Sequence, residues 1–198
     1  MRIRKLARNN SGQALVETAL ILPVLLLVML NAVNFGYFYL VALNLTSASR
    51  TASLYAMIGS QTPAGTALPP ATGTSNVTAS YLAYQDLTGS LLAPGNAKIQ
   101  VCSPYLGVTG TGSSQVAQCQ TCTTSASGSA LACGATGAGS PAPDSDPEAP
   151  TFVLNRVDVT YSFSPIIPGA PFGLALLSVC PGGTCTFGRH LSMRAMGS

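Results

Sequence analysis

The sequence has no tryptophan, one histidine and few charged residues, which make up only 8% of its 198 positions. Because soluble domains usually carry about 25% charged residues, this composition argues against an ordinary cytosolic enzyme. Hydrophobic residues reach 47%, which argues against intrinsic disorder. One histidine, six carboxylates and no serine in a nucleophile elbow leave no candidate acid–base pair, so we expect neither enzymatic activity nor a cofactor.

Basic residues are concentrated at the N-terminus and sparse elsewhere. Four of them stand in the first eight positions, and the next one along the chain is Arg50. The chain therefore lacks the basic stripe that binds phosphates, and we expect no nucleic-acid partner. The four basic residues near the N-terminus are Arg2, Arg4, Lys5 and Arg8.

A long apolar run follows the basic cluster. Residues 18–49 include no charged residue, whereas a bilayer core needs only ~20 apolar residues in a helix. Because basic residues stay on the cytoplasmic side, we expect a single membrane span with a cytoplasmic N-terminus and an exported C-terminal part. A cleaved secretory signal peptide is the alternative, but its apolar region is only ~7–15 residues long and closes on a small-residue site, which is missing here.

The helix should continue well past the membrane. Pro23 is its internal breaker, and Gly59 with Pro63 supplies the end signal near Ile58. A helix from residue 18 to 58 would be roughly 60 Å long, about twice the hydrocarbon thickness. Its second half carries one apolar face, which can pack under the chain's own globular domain or against neighbouring molecules.

The most informative residues stand just before the apolar run, in the sequence Ser11-Gly-Gln-Ala-Leu-Val-Glu17. A carboxylate that enters hydrocarbon is costly unless it is paired, so Glu17 taken alone would be expected to stay in the head-group layer. A basic leader, a glycine and a glutamate before a long apolar helix together resemble the type IV prepilin leader. That resemblance implies cleavage after Gly12 by a membrane peptidase, so that Gln13 becomes the first residue and Glu17, then the fifth, serves assembly.

Within that superfamily the chain is similar to the TadE-like minor pseudopilins of the tight-adherence pilus system. The similarity rests on residues 12–23, on the helix continuation through residues 34–56 and on the C-terminal strand with residues 191–195. Thr18 departs from the pattern, which has an aromatic residue there, so a TadF-like or another minor pilin stays open.

The resemblance also implies a location and partners. The chain would be a single-pass protein of the bacterial inner membrane, in contact with membrane lipid, with its C-terminal domain periplasmic or extracellular and able to enter the pilus. Its partners would be the prepilin peptidase, other pilins and pseudopilins, and the inner-membrane assembly platform with its ATPase.

The exported part is predicted to complete an α+β fold. We divide the chain into a prepilin-type leader (1–12), a transmembrane and extended helix (13–58), a linker (59–75) and an exported domain (76–198). Apolar residues at spacings of three and four predict a short helix within residues 76–92. The expected architecture is a long N-terminal helix followed by a small antiparallel sheet of three or four strands with long low-complexity loops.

Alternation of apolar and polar residues predicts the strands, which occupy residues 98–102, 153–163 and 185–195. Such alternation gives a sheet one buried face, and Arg156 and Asp158 fall on the face predicted to be polar. Residues 106–151 contain no aromatic residue and are rich in Gly, Ser, Thr, Ala and Pro. We therefore expect a long surface excursion there, in part disordered.

Six cysteines indicate disulfides in an exported domain: Cys102, Cys119, Cys122, Cys133, Cys180 and Cys185. The short spacing across a Pro-Gly-Gly turn favours a local bridge between Cys180 and Cys185. Cys119 and Cys122 have the spacing of a redox pair, and with Cys133 they offer ligands for zinc, but the surrounding loop lacks the helix N-terminus that activates a thiol. Structural disulfides are the prediction, and no metal site is predicted.

Three carboxylates, Asp144, Asp146 and Glu148, cluster between prolines, where we expect them to be solvated; weak calcium binding is the alternative.

Two other functions compete with the pilin interpretation. One is a membrane-anchored exported binding domain that does not polymerise, and the other is an exported thiol–disulfide protein. Cleavage at Gly12 separates the first from a pilin, and reactive thiols would mark the second.

Overall fold

The computed structural model describes residues 11–58, 78–89, 91, 94–124, 131–167 and 185–194. Its α-helices and strands are α1 (Ser11–Ile58), α2 (Ala79–Thr88), β1 (Ala97–Thr109), β2 (Val116–Thr124), β3 (Leu131–Cys133), β4 (Leu154–Phe163) and β5 (Cys185–Arg194). The predicted α+β class, a long N-terminal apolar helix before an antiparallel sheet, is confirmed. Most of the predicted leader and the predicted linker (59–75) lie outside the described residues.

Helix α1 is one element of 48 residues, about 72 Å long at 1.5 Å per residue. It continues through Pro23 and ends at Ile58, as the sequence predicts. Side chains from Gly12 to Leu26 are exposed on every side. From Asn34 onward one face of the helix is buried by the domain, and its members are Asn34, Tyr37, Val41, Leu45, Ala48, Ala52 and Ala56.

The short helix predicted within residues 76–92 is α2. Its first turn is capped by Thr78, whose Oγ1 accepts a hydrogen bond from the backbone N–H of Tyr81 at 3.3 Å. The buried residues Ala83 and Leu87 join the same hydrophobic core as the buried face of α1. Small side chains on both helices permit this close packing.

The sheet has five strands in the order β3-β2-β1-β4-β5, all antiparallel. The prediction of three or four strands is wrong because β2 and β3 lie within residues 106–151, which we expected to be a surface excursion. The lack of aromatic residues there is misleading, since Val, Thr and Cys also fit a pleated surface. β2 pairs with β1 from Lys98 to Ser103 and again, after a shift of register, at Val108 and Thr109, and it places its cysteines opposite those of its neighbours.

Both faces of the sheet are covered. One face contributes Ile99, Val101 and Val157 to the hydrophobic core that it shares with α1 and α2. On the opposite face Arg156 and Asp158 are buried, at 6% and 5% exposure. The prediction that these two side chains face solvent is wrong, because residues 134–152 fold back over this face; this covering stretch is called the strap below.

Candidate functional site

The first half of α1 presents a continuous apolar surface. Between Leu15 and Val33 the large hydrophobic side chains that point outward are 47–73% exposed, whereas soluble monomers rarely expose apolar patches of this extent. Among the described residues, α1 is the one helix long and apolar enough to cross a membrane. This surface is consistent with membrane anchoring.

The predicted processing and assembly residues lie in the first two turns of α1. Gln13 Nε2 donates a hydrogen bond to Glu17 Oε1 at 3.3 Å, a contact between residues one helical turn apart. Both side chains are exposed, and a methyl group added at Gly12 would have open space around it. Among the described residues, nothing packs on this part of the helix.

Asn34 marks the point where the domain begins to hold the helix. Its side chain is buried at 1% exposure, and its Nδ2 donates to the carbonyl oxygen of Ile167 at 3.3 Å while its Oδ1 accepts from the N–H of Ile167 at 3.2 Å. Both polar groups of the amide are thereby satisfied. The sequence placed Asn34 in the helix continuation but did not predict this contact. An amide side chain inside an uncharged apolar run was the feature that could have indicated it.

Four of the six cysteines form two bridges, Cys102–Cys119 and Cys122–Cys133. Each joins directly opposed residues of neighbouring strands. Cys119 and Cys122 thus belong to separate disulfides on opposite faces of the sheet, and neither offers a thiol for redox chemistry or for zinc. Cys185 is also disulfide-bonded, and Cys180, its predicted partner, lies outside the described residues.

The acidic cluster is held by arginines. Asp146 accepts hydrogen bonds from Nε and Nη2 of Arg194, both at 2.7 Å, and from the N–H of Glu148 at 2.8 Å. Hydrogen bonds from Arg194 and then from the Glu148 backbone hold the pKa of Asp146 below its ordinary value, and the same carboxylate raises the pKa of Arg194.

The expectation that the acidic cluster is solvated is therefore wrong for Asp146, which is 2% exposed. The physical reason is that the strap lies on the sheet, so that its carboxylates reach arginines of β4 and β5. Asp144 accepts from Arg156 at 3.3 Å, and Glu148 accepts from Arg194 at 3.3 Å. The basic residues Arg156 and Arg194 in the last two strands were the sequence feature that could have indicated these ion pairs.

Helix α1 is thus exposed and apolar along its first half and packed on an antiparallel sheet along its second half. The model of the TadE-like protein family matches residues 12–54, which confirms the predicted similarity over a segment that includes Gly12, Gln13 and Glu17. The match indicates involvement in tight-adherence pilus systems. No curated protein and no solved structure matches the chain significantly.

Proposed function

We propose that the chain is a minor pseudopilin of a tight-adherence pilus, anchored in the bacterial inner membrane with its N-terminus cytoplasmic and its domain exported. The observation that carries the proposal is the coincidence of the family match at residues 12–54 with a helix that is exposed and apolar from Gly12 to Leu26 and docked on a sheet from Asn34 onward. The role is structural and not enzymatic. Its partners are the prepilin peptidase, other pilins, and the assembly platform with its ATPase.

The first step of this role is cleavage after Gly12. We expect the protein from native membranes to begin at Gln13, with a free or methylated amino group, when its N-terminus is sequenced by mass spectrometry. Gly12→Val should leave the chain full-length, whereas Gly36→Val is the matched control, because an added Cβ at Gly36 also meets open space within the same helix.

A full-length N-terminus in cells that contain the peptidase, or a start beyond residue 30, would contradict the pseudopilin role. A chain that is anchored in the membrane but keeps residues 1–12 would fit the alternative role, a membrane-anchored binding domain that does not polymerise.

The second step is assembly through Glu17. After cleavage the new amino group of Gln13 lies one helical turn from the Glu17 carboxylate, and Gln13 already contacts that carboxylate through its side chain at 3.3 Å. A lone charge in hydrocarbon is costly, and pairing with an opposite charge offsets that cost. Pairing of Glu17 in one subunit with the amino terminus of a neighbour would set the axial register between helices, which purely apolar contacts specify poorly.

Glu17→Ala and Glu17→Gln are expected to insert and to be cleaved normally but to lose co-purification with other pilins and with sheared pili. Thr18→Ala is the matched control, because Thr18 is equally exposed and its hydroxyl donates only within the helix, to the Ala14 carbonyl at 2.8 Å. Unchanged co-assembly of both Glu17 variants would show that the carboxylate has no part in assembly.

A further inference from the structure

The connection between β4 and β5 leaves the sheet at the end of the domain that is nearest to the bare half of α1. Phe163, the last residue of β4, packs its ring 5.3 Å from Tyr37 and 5.6 Å from Phe38. Four residues later Ile167 is hydrogen-bonded to Asn34. The chain thus descends along α1 toward the helix N-terminus as it leaves β4.

Strand β5 runs in the opposite direction along the same helix. The ring of Phe187 lies 5.1 Å from that of Phe38, and the carbonyl oxygen of Leu191 accepts a hydrogen bond from Ser53 at 3.4 Å. Because β5 climbs away from the helix N-terminus, both strand ends joined by residues 164–184 face the bare half of α1.

The helix length places this end of the domain at a definite depth. Asn34 stands seventeen residues after Glu17, about 26 Å along the helix at 1.5 Å per residue. A hydrocarbon core is ≈ 30 Å thick, so a bilayer with its inner boundary at Glu17 has its outer boundary within about one turn of Tyr37. The amide of Asn34 would then lie just inside that boundary, where polar groups must find their partners within the protein, as this amide does in Ile167.

The residues at this depth are apolar in the domain as well as in the helix. Ile166 is 45% exposed, and Phe35, on α1 beside the amide contact, is 41% exposed. The sequence carries no charge between Asp158 and Arg189. A charged residue near Ile166 in the sequence would make its entry into the interface costly, and none is present there.

We propose that residues 164–167, where the chain leaves β4, form a second membrane contact, in which Ile166 enters the outer interface of the bilayer that α1 spans. The domain is then seated on the lipid surface instead of being held above it on a free length of helix. The proposal rests on the membrane anchoring in the proposed function, and it depends neither on cleavage nor on entry into a pilus.

The absence of tryptophan from the chain allows a direct test with single tryptophans. The full-length protein is reconstituted into phosphatidylcholine vesicles whose acyl chains carry bromine either near the head group or near the chain end. Ile166→Trp is the test variant, and Phe35→Trp reports the same depth from the helix. Leu26→Trp serves as the control inside the bilayer, and Val108→Trp, at a site of similar exposure (40%) in the last part of β1, is the control far from it.

We expect shallow bromine to quench Ile166→Trp and Phe35→Trp alike, deep bromine to quench Leu26→Trp most, and neither to quench Val108→Trp. If Ile166→Trp behaves like Val108→Trp while Leu26→Trp is quenched, this proposal is overturned and anchoring stands. If Leu26→Trp is not quenched, anchoring itself fails. A blue-shifted but unquenched Ile166→Trp would place a second protein copy on this surface instead of lipid, and would also overturn the proposal.

Discussion

Arg156 and Asp158 form an ion pair buried between the sheet and the strap, and its disruption should destabilise the domain strongly. Arg156 Nε lies 3.1 and 2.9 Å from the two carboxylate oxygens of Asp158, and its Nη2 donates to Oδ1 at 2.8 Å. The side chains are 8% and 6% exposed. Gln100 Nε2 donates to the same carboxylate at 3.4 Å, and Arg156 Nη1 donates to the Ala142 carbonyl at 3.3 Å.

Asp158→Ala would leave the guanidinium buried without its bidentate partner. Removal of one member of a buried pair costs ~3–5 kcal/mol in the free energy of unfolding. Asp144, the second carboxylate on the same guanidinium, is 76% exposed, and an exposed pair of this kind contributes only ~0–1 kcal/mol. Asp144→Ala is therefore the matched control. The double variant Arg156→Met/Asp158→Leu removes both charges and should recover most of the loss, because apolar residues of similar volume replace buried pairs well.

The assay is urea unfolding of the full-length chain in detergent micelles, followed by the near-ultraviolet circular dichroism of its tyrosines, of which there are seven. The unpaired-charge explanation is refuted if the free energy of unfolding of Asp158→Ala lies within about 1 kcal/mol of the wild-type value, the range of an exposed pair. It is also refuted if the double variant is as unstable as the single one, since the loss would then stem from packing and not from an unpaired charge.

Two further predictions concern the strap. Hydrogen bonds from Arg194 lower the pKa of Asp146 in the folded state, so its carboxylate stabilises the fold at pH values above its ordinary pKa of 3.8. This stability is lost as the pH falls through the lower folded value. Asp146→Asn should therefore make the urea midpoint less dependent on pH in that range, and an unchanged pH profile would contradict the linkage. Gly139→Ala should destabilise the packing of the strap on the sheet, because a Cβ would lie 2.6 Å from Cys119 Sγ. We expect faster amide hydrogen exchange in residues 134–152 of this variant. Gly137→Ala, which has open space around the added Cβ, should show the exchange rates of the wild type.

Periodic patterns carried most of the sequence prediction. The end of α1 could be predicted because no breaker other than Pro23 precedes the Gly59 and Pro63 signal. β4 and β5 could be predicted because their alternation continues over many residues. β2 could not, since its Gln, Thr and Cys residues alternate without an apolar face. Polar residues of β2 are nevertheless buried: Gln120 is 3% exposed, and its Nε2 donates to the carbonyl oxygen of Gly134 at 2.8 Å.

The candidate site likewise contains contacts that the sequence could predict and contacts that it could not. The contact between Gln13 and Glu17 follows from helical spacing alone, and so was accessible from the sequence. The amide clamp at Asn34 was not, because its partner Ile167 is 133 residues away along the chain. Local composition predicted that the acidic cluster is solvated. The burial of Asp146 could not be predicted in this way, because its partner Arg194 lies 48 residues further along the chain.

Helix α1 is held on the domain by buried side chains. The two bridges whose partners are both described join β1, β2 and β3, and Cys185 of β5 is also disulfide-bonded, whereas α1 packs on β4 and β5. The helix is fixed to these strands by buried side chains such as Tyr37, Val41 and Leu45, and full burial of a side chain of this size contributes ~1.5–3 kcal/mol. Detachment of α1 would expose all of them together with the amide of Asn34. Burial of these side chains and of that amide therefore holds the second half of α1 on β4 and β5.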